Sequence, residues 1–576
     1  MTKRIKTDIL VIGGGLSGCM AAINAADHGA KVVIMEKSHT ERSGAAGTGN
    51  DHFWFYDPEI HEPRGWTIPD MVRDISTDGE YGKTKGGLMD QHLLEIVAEG
   101  TKAAVDRLES WGVQFKYDKV YPWNLQYDAP EGEKKYRIVP QFQSEWDTLN
   151  YDGRDIKHRL TEQCEKRGVE IYNRVAGTGL LTKDGKVIGA TGVHMRTSEF
   201  HIFTAKAVIM ATGMDQWRLF KPRNGNWFNS QSPPYITGDG EAMAIRAGAE
   251  VFILQAGKTQ HNGFQYWRNI MRSSPAATTC YPAGRLVNAE REVIIKHPAA
   301  MEPMRKYRQN VEDSVAEGKT PFYLDWTDAS EEEVQYALWA YGNEGLCWGL
   351  REIMKDLDID FRTHMIELEL EEPGRPTGGF LAPYIDIDCK TSLEGLFACS
   401  PVQFVGEVAA PTYTVLGWRS GEKAAEYIKK VKEPKPDEAQ IVFEEMRVLS
   451  PSKTDDGPSW QEVNTELNQI MEEYKKYVAG FNPPGKHDKM STIGLQNTLD
   501  ILGKLKEVKM KATDPHELVR CNEVMNLIDV GILMVKAAFE PDQYKSGIWF
   551  LGKLENGEAS FRPEPIKVLY PPKEVA

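Results

Sequence analysis

Apolar and polar positions alternate in period along the first forty residues. Asp8 to Ile12 is a short apolar run, Cys19 to His28 is a stretch of small residues with helical character, and Lys31 to Met35 is a second apolar run. The pattern predicts strand, helix and strand, a complete βαβ unit. Short strands are expected over residues 169–213, with Lys183-Asp184-Gly185-Lys186 as a hairpin turn. A helical segment is expected near residues 88–111, and mixed strands and charged helices from about 250 to 370. The run Lys430 to Asp437, rich in proline and charge, reads as a solvated boundary. Beyond it, Trp460, Val463, Leu467, Ile470, Met471 and Tyr474 recur at helical spacing, as do Leu518, Val524, Leu527, Ile528, Ile532 and Met534. These belong to a helical C-terminal domain, and Ser546 to Pro572 reads as a turn-rich arm that packs on the body or on a partner. The fold class is α/β, and the expected division is 1–250, 251–370, 371–430 and 431–576.

Composition narrows the function. Length alone, 576 residues, allows three or four units. With 69 Lys+Arg against 84 Asp+Glu the net charge is −15, which argues against nucleic acid and acidic membrane surfaces as partners. Fourteen Trp point to aromatic-lined interiors or clefts. The seven cysteines are scattered, with no C-x-x-C pair, so an ordinary iron–sulfur or zinc site built by this chain alone is excluded. Their spacing fits a reducing compartment. With no signal segment and no apolar stretch approaching about 18 residues, a cytoplasmic chain is expected.

The chemistry starts at the first turn. Gly13 to Gly18 reads G-x-G-x-x-G: Gly13 permits the tight turn, Gly15 lets backbone approach a pyrophosphate, and Gly18 allows close helix packing. The helix then directs its N–H groups and dipole at the phosphates. Glu36, 18 residues after Gly18, ends the second strand where a carboxylate accepts hydrogen bonds from a ribose. The bland alternative is a glycine-rich loop closing a helix onto a strand. Both strands, the helix and the terminal acid in register favour a dinucleotide site. The small-residue loop Arg42 to Asn50 follows, suited to bringing backbone amides against a flat ring system.

Further along lie Ala205 to Gly213, Thr237 to Ala249 and Leu393 to Cys399. In this order the motifs resemble the flavoprotein subunit superfamily of succinate dehydrogenase and fumarate reductase. The segment Glu41 to Gly49 looks most like the α subunit of adenylylsulfate reductase. The resemblance covers most of residues 1–430. It implies a Rossmann-like FAD-binding domain interrupted by an inserted α+β capping domain. It also implies an electron partner in the form of a separate iron–sulfur subunit, and an oligomeric assembly. The cofactor set it implies is Gly13, Gly15 and Gly18 at the pyrophosphate and Glu36 on the adenosine ribose, with Leu16, Ser17, Lys37, Arg42 and Asn50 also binding the cofactor. Ser43, Gly44, Ala45 and Gly49 would lie near the isoalloxazine, Ala211, Thr212 and Gly213 near the FAD, and Asp239 would contact the cofactor. Val415 and Leu416 would approach its pyrimidine end.

The departures are as informative. Where the succinate and fumarate enzymes carry a flavin-linking histidine, this chain has Gly44, so FAD should be held non-covalently, although His39 stands a few residues earlier. Their His-Tyr-Thr-x-Gly-Gly strand is matched by Gly374-Arg375-Pro376-Thr377-Gly378-Gly379, without the histidine. Cys280 stands near the position of their proton-donating arginine, and Ala409 to Thr414 replaces their Asn-Arg-Leu-Gly-Gly-Asn loop. Plain fumarate reduction is therefore disfavoured. The catalytic candidates are Arg375, Arg268 and Arg272, whose planar donors suit carboxylate, sulfate or phosphate, with His261 and Tyr413 as groups able to move a proton. His52, Trp54 and Tyr56 follow the flavin loop and could line a pocket or simply pack. Two functions follow: an FAD oxidoreductase for a small anionic substrate wired to an iron–sulfur subunit, or a stand-alone flavin enoate reductase or dehydrogenase for an organic acid. The non-covalent reading predicts that acid precipitation releases the flavin to the supernatant; yellow colour retained in the pellet refutes it.

Overall fold

The computed structural model describes all residues except 1, 48, 79–88, 141–146, 215, 222–232, 255–263, 268–282, 296–303, 344–353, 371–379, 400–408, 480–488, 541–547, 556 and 573–576. The described residues have a mixed α/β fold built on four sheets and a set of C-terminal helices. The strand β1 (Thr2–Ile12) changes burial along its length: Ile5 and Thr7 alternate with more exposed neighbours, then Ile9 to Ile12 are all buried. That second half is covered on both faces, as parallel strands require. It lies parallel to β2 (Val32–Glu36) on one side and to Phe200–Met210 on the other. Glu170–Asn173 and Leu396–Ala398 extend the parallel set. The antiparallel strands Lys186–His194 and Val175–Lys183 complete a seven-stranded sheet. They are joined at Asp184 and Gly185, both with positive φ (50° and 75°), as the hairpin turn read from sequence requires.

Between β1 and β2, helix α1 (Leu16–Asp27) is buried from Leu16 to Ala25. Its small residues let the Ala409–Ile428 helix cross at backbone contact distance. A Cβ on Gly417 would lie 2.5 Å from the Ser17 carbonyl oxygen, and one on Gly421 would lie 2.2 Å from that of Ala21. The crossing brings the beginning of the later helix to the carboxyl edge of the parallel strands, where open α/β sheets bind ligands.

A second sheet, ordered Phe264–Trp267, Ile366–Leu370, Phe322–Asp325, Arg285–Val287, Val293–Ile295, has its own core of Leu286, Phe322, Leu324, Trp326, Tyr336 and Phe361. It meets the first body through Tyr336, whose hydroxyl donates to Asn150 Oδ1 at 2.8 Å and accepts from Asn124 Nδ2 at 3.2 Å. The Arg137 guanidinium lies over the rings of Tyr117 (4.0 Å) and Trp339 (4.5 Å) at the same junction. Asn150 and Arg137 themselves belong to a small sheet ordered His52–Trp54, Asp147–Asn150, Lys135–Pro140, Lys116–Tyr117.

Val251–Leu254, at the start of the segment expected to form the inserted unit, pairs in the remaining sheet. Its neighbours are Phe380–Pro383 on one side and Ile548–Glu555 on the other, with Glu558–Pro565 beyond. The C-terminal arm thus folds back onto the body. The helices Trp460–Ala479, Lys489–Lys506 and Pro515–Ala538 pack together, and Trp460, Val463, Leu467, Ile470, Met471 and Tyr474 are all buried. Pro515–Ala538 starts where the Asp514 side chain accepts the Glu517 N–H and Pro515 occupies the first turn. It is buried on nearly every side, as a central helix must be. Among the described residues no helix is long and apolar enough to cross a membrane.

The α1 crossing yields a test by sign. Gly421→Ala must push two backbones apart and should destabilise by about 1–3 kcal/mol. Gly503→Ala, within a helix and with nothing inside 4 Å of the new methyl, should stabilise by about 0.5–1 kcal/mol. Thermal unfolding of the two variants should shift in opposite directions; equal shifts would remove the crossing as a constraint.

Candidate functional site

The site begins with an unfilled helix end. Gly15 caps α1 with no side-chain hydrogen bond, and the first turn carries no acidic residue. The first N–H groups are therefore offered to a ligand, and the helix dipole favours an anion there. Gly13 takes φ +100°, and a Cβ on it would come within 2.3 Å of the Ala211 carbonyl oxygen. A Cβ on Gly18 would sit 1.9 Å from the Gly13 oxygen. The turn is packed so closely that only glycine fits at both positions.

Gly14, between them, is gripped at both ends. Its N–H donates to Glu36 Oε2 at 2.6 Å, while the other oxygen of that carboxylate accepts from the Ser38 N–H at 2.6 Å. Its carbonyl accepts from Ser43 Oγ (2.9 Å), Lys157 Nζ (2.5 Å) and Cys19 Sγ (3.4 Å). Glu36 and Ser43, both expected at the cofactor, are thus buried and joined through one glycine. Gly44 follows with φ +77°, 3.1 Å from Gly15 Cα when given a Cβ, so the small-residue loop lies on the glycine turn. Ala45 and Arg42 are exposed. Gly49 (φ +136°) is tight against the Asn343 carbonyl, where a Cβ would meet it at 2.6 Å, and Asn50 Oδ1 accepts from the Tyr151 hydroxyl at 2.8 Å. Immediately after, Asp51, buried, holds His52 Nδ1 at 2.6 Å.

Other predicted positions fall around this turn. Ala211 N donates to the Ile12 carbonyl at 2.8 Å, which puts Ala211 to Gly213 beside Gly13. Thr212 packs on Gly240, where a Cβ would meet its Oγ1 at 2.0 Å. Leu16, Ser17 and Leu416 are buried. Val415 turns its side chain onto Gly100, 2.6 Å from a Cβ placed there, so any approach to a ligand on its part is through backbone. Tyr413 is half-buried near the start of the Ala409–Ile428 helix. Arg268, Arg272, His261, Arg375 and Cys280 lie outside the described residues.

Lys37 and Asp239 stand in a buried charge cluster. Lys37 Nζ donates to Asp239 Oδ2 (2.7 Å), Glu523 Oε1 (2.9 Å) and the Tyr235 carbonyl. Asp239 Oδ1 accepts from Asn526 Nδ2 at 2.7 Å. Glu523 also pairs with Arg218 and with Arg520 (2.7 Å). The two guanidiniums stack on Trp460 (5.1 Å) and Tyr235 (4.6 Å). Burial pushes the Glu523 carboxyl up, but Arg520, Lys37 and Arg218 together pull it down to about 2. Sequence reasoning missed Lys157, Arg218, Arg520 and Glu523. The last two carried a signal, as charged residues set among the helically spaced apolar positions Leu518, Val524, Leu527 and Ile528.

Among the described residues no group of His, Cys, Asp and Glu has the arrangement of a metal site, and the five described cysteines are free and buried.

Comparison with known proteins agrees with the turn. Residues 8–258 match the model of the FAD binding domain, and FAD is the cofactor these residues fit. The A subunit of the fumarate reductase (CoM/CoB) of Methanothermobacter marburgensis is 27% identical over 45% of this chain and 43% of its own length. The match thus spans less than half of that relative. The fumarate reductase flavoprotein subunit of Mycobacterium tuberculosis is 25% identical over 73% of this chain and 70% of its own. Among solved structures, adenylylsulfate reductase from Archaeoglobus fulgidus shares the fold, with a TM-score of 0.74 and 21% identity over 99% of this chain and 97% of that one.

The charge cluster predicts how stability responds to acid. A folded-state value of about 2 against 4.5 for the free carboxyl contributes about 3 kcal/mol. Because the folded value is depressed, that contribution is full above pH 4.5 and is lost as pH falls toward 2. Glu523→Gln removes the carboxylate partner of Arg218 and Arg520 and one of the two carboxylates on Lys37, and should cost about 3–5 kcal/mol at neutral pH. In urea unfolding the gap between wild type and variant should narrow at pH 3.5; a gap independent of pH would show that the pairing is not its source.

Proposed function

We propose that this chain, a flavoprotein with relatives among the fumarate reductase and succinate dehydrogenase flavoprotein subunits, is an FAD-dependent oxidoreductase. It carries out a two-electron redox step on a small anionic substrate and exchanges the electrons with a separate iron–sulfur subunit. The observation that carries the reading is the turn at Gly13 to Gly18, open to a diphosphate, within a chain whose whole length follows the fold of adenylylsulfate reductase. The absence of any C-x-x-C pair in the sequence supports a cluster on another chain.

FAD, when bound, supplies the hydride and single-electron chemistry that side chains lack. The protein's part is to bind and orient. The α1 N-terminus and the Gly13 to Gly15 backbone hold the diphosphate, and Glu36 anchors the turn. Ser43 to Asn50 form the wall beside the flavin, with non-covalent attachment following from Gly44. Within this reading the sheet of residues 264–370 is the cap, and its junction with the body at Tyr336 and Arg137 sets how it sits over the site. Arg268, Arg272 and Arg375 are the candidates for gripping the anion, and His261 or Tyr413 for moving a proton. The chain works in an oligomer, in the cytoplasm.

Three measurements test the proposal. Purification under anaerobic conditions should yield a brown complex with an iron–sulfur protein; a yellow, active single polypeptide sinks the partner and favours the stand-alone enoate reductase or dehydrogenase. Reoxidation of the reduced flavin by a panel of sulfonucleotides, enoates and aromatic acids identifies the substrate class. Arg375→Ala, and the paired change at Arg268 and Arg272, should each lower kcat/KM by the equivalent of about 1.5–3 kcal/mol; unchanged kinetics dismiss them.

A further inference from the structure

Lys157 is the second residue of the Ile156–Lys166 helix, a place where a lysine ordinarily reaches solvent. Here its side chain runs inward and the residue is 1% exposed. The ammonium ends 2.5 Å from the Gly14 carbonyl oxygen and 3.2 Å from Cys19 Sγ. Among the described residues no carboxylate forms an ion pair with it, and Glu36 has both oxygens engaged by the backbone N–H groups of Gly14 and Ser38. A buried ammonium without a carboxylate in direct contact is costly, and folded proteins keep one where something compensates it.

The compensating charge has an evident place. The Gly14 carbonyl and the Gly15 N–H are the two ends of one planar peptide group. Three donors converge on the carbonyl end: the Lys157 ammonium, the Ser43 hydroxyl and the Cys19 thiol. A positive charge on that oxygen polarises the peptide and strengthens the N–H at its other end. That N–H belongs to the cap of α1, where the helix presents its free donors. The turn itself, Ile12 to Gly18, contains no basic residue, and Lys37 is engaged by Asp239 and Glu523.

We propose that Lys157 is the buried counter-cation of the FAD diphosphate, acting through the Gly14–Gly15 peptide, and is thus a positioning residue for the cofactor. Cys19 is its neighbour in the protein. The hydrogen bond from Cys164 and the Lys157 ammonium hold the Cys19 thiol below its ordinary range against the effect of burial. The inference rests on FAD as cofactor and is independent of the substrate and of the electron partner.

The test compares apoprotein of wild type, Lys157→Met and Lys157→Gln, titrated with FAD and with riboflavin, which lacks phosphate, and melted without ligand. FAD affinity should fall at least ten-fold in both variants. Glutamine is included because it keeps a donor for the Gly14 carbonyl while removing the charge. Riboflavin binding should stay within about two-fold of wild type, and the apoprotein Tm should be unchanged or higher because an uncompensated charge has been removed. Unchanged FAD affinity overturns the proposal. So does an equal loss for both ligands, a lowered apoprotein Tm, or failure of both variants to fold, each of which makes Lys157 a structural strut instead.

Discussion

The peptide group on either side of Gly14 is the point on which the site depends. Its N–H is fixed by a carboxylate from the end of β2, and its carbonyl by side chains from α1, the loop after β2 and the Ile156–Lys166 helix. Four separated pieces of chain therefore agree on the position of a single glycine. Flanking it, Gly13 and Gly18 are in backbone contact, with no room for a methyl group. The free N–H groups at the start of α1 already point along the helix axis, and these contacts fix the turn that leads into them before any ligand arrives. Preorganised dipoles of this kind lower the reorganisation that binding would otherwise require.

The same logic extends to the rest of the carboxyl edge. The Ala409–Ile428 helix is set against α1 by two glycines, so its first turn cannot drift relative to the dinucleotide turn. On the other flank, Glu523 collects Lys37, Arg218 and Arg520, and ties the C-terminal helices to the segments following β2 and Phe200–Met210. A buried cluster of this type is weak evidence for net stability, because desolvation offsets most of the attraction. Its geometric demand is nonetheless strict: Arg218 meets its carboxylate, and Lys37 its second one, when the central helix is seated.

Legibility in the sequence followed the range of the interactions. The βαβ unit, the turn glycines, Glu36 and the Lys183–Lys186 hairpin are local, and their chemistry is written within about thirty residues. The buried stripe from Trp460 to Tyr474 was legible for the same reason, since helical spacing is a local pattern. Lys157 was not, because its partner is 143 positions away and a lysine in a first helical turn looks like any solvated charge. Lys37 and Asp239 are expected as cofactor contacts through the resemblance; no local pattern could show that Glu523 meets Lys37 there. Val251–Leu254 joined its sheet through partners far along the chain on both of its edges, which no short window can reveal. The anion-gripping candidates of the 261–272 segment and Arg375 rest on residue chemistry and resemblance.

The pairing of Val251–Leu254 with Ile548–Glu555 joins residues about three hundred positions apart, and this has a consequence for biosynthesis. On a ribosome, the glycine turn and its βαβ unit emerge before either of these partners and close from local contacts. The strand at 251–254 must wait on that side for a partner made about three hundred residues later, and the Lys37 cluster likewise waits for Glu523. Loop closure over such distances is slow. The nascent chain therefore passes through a stage with a formed dinucleotide turn, an unpaired strand edge, and an Arg218 whose carboxylate partner is not yet made. Such a stage is the one at which a chaperone, or the cofactor itself, has the most to protect.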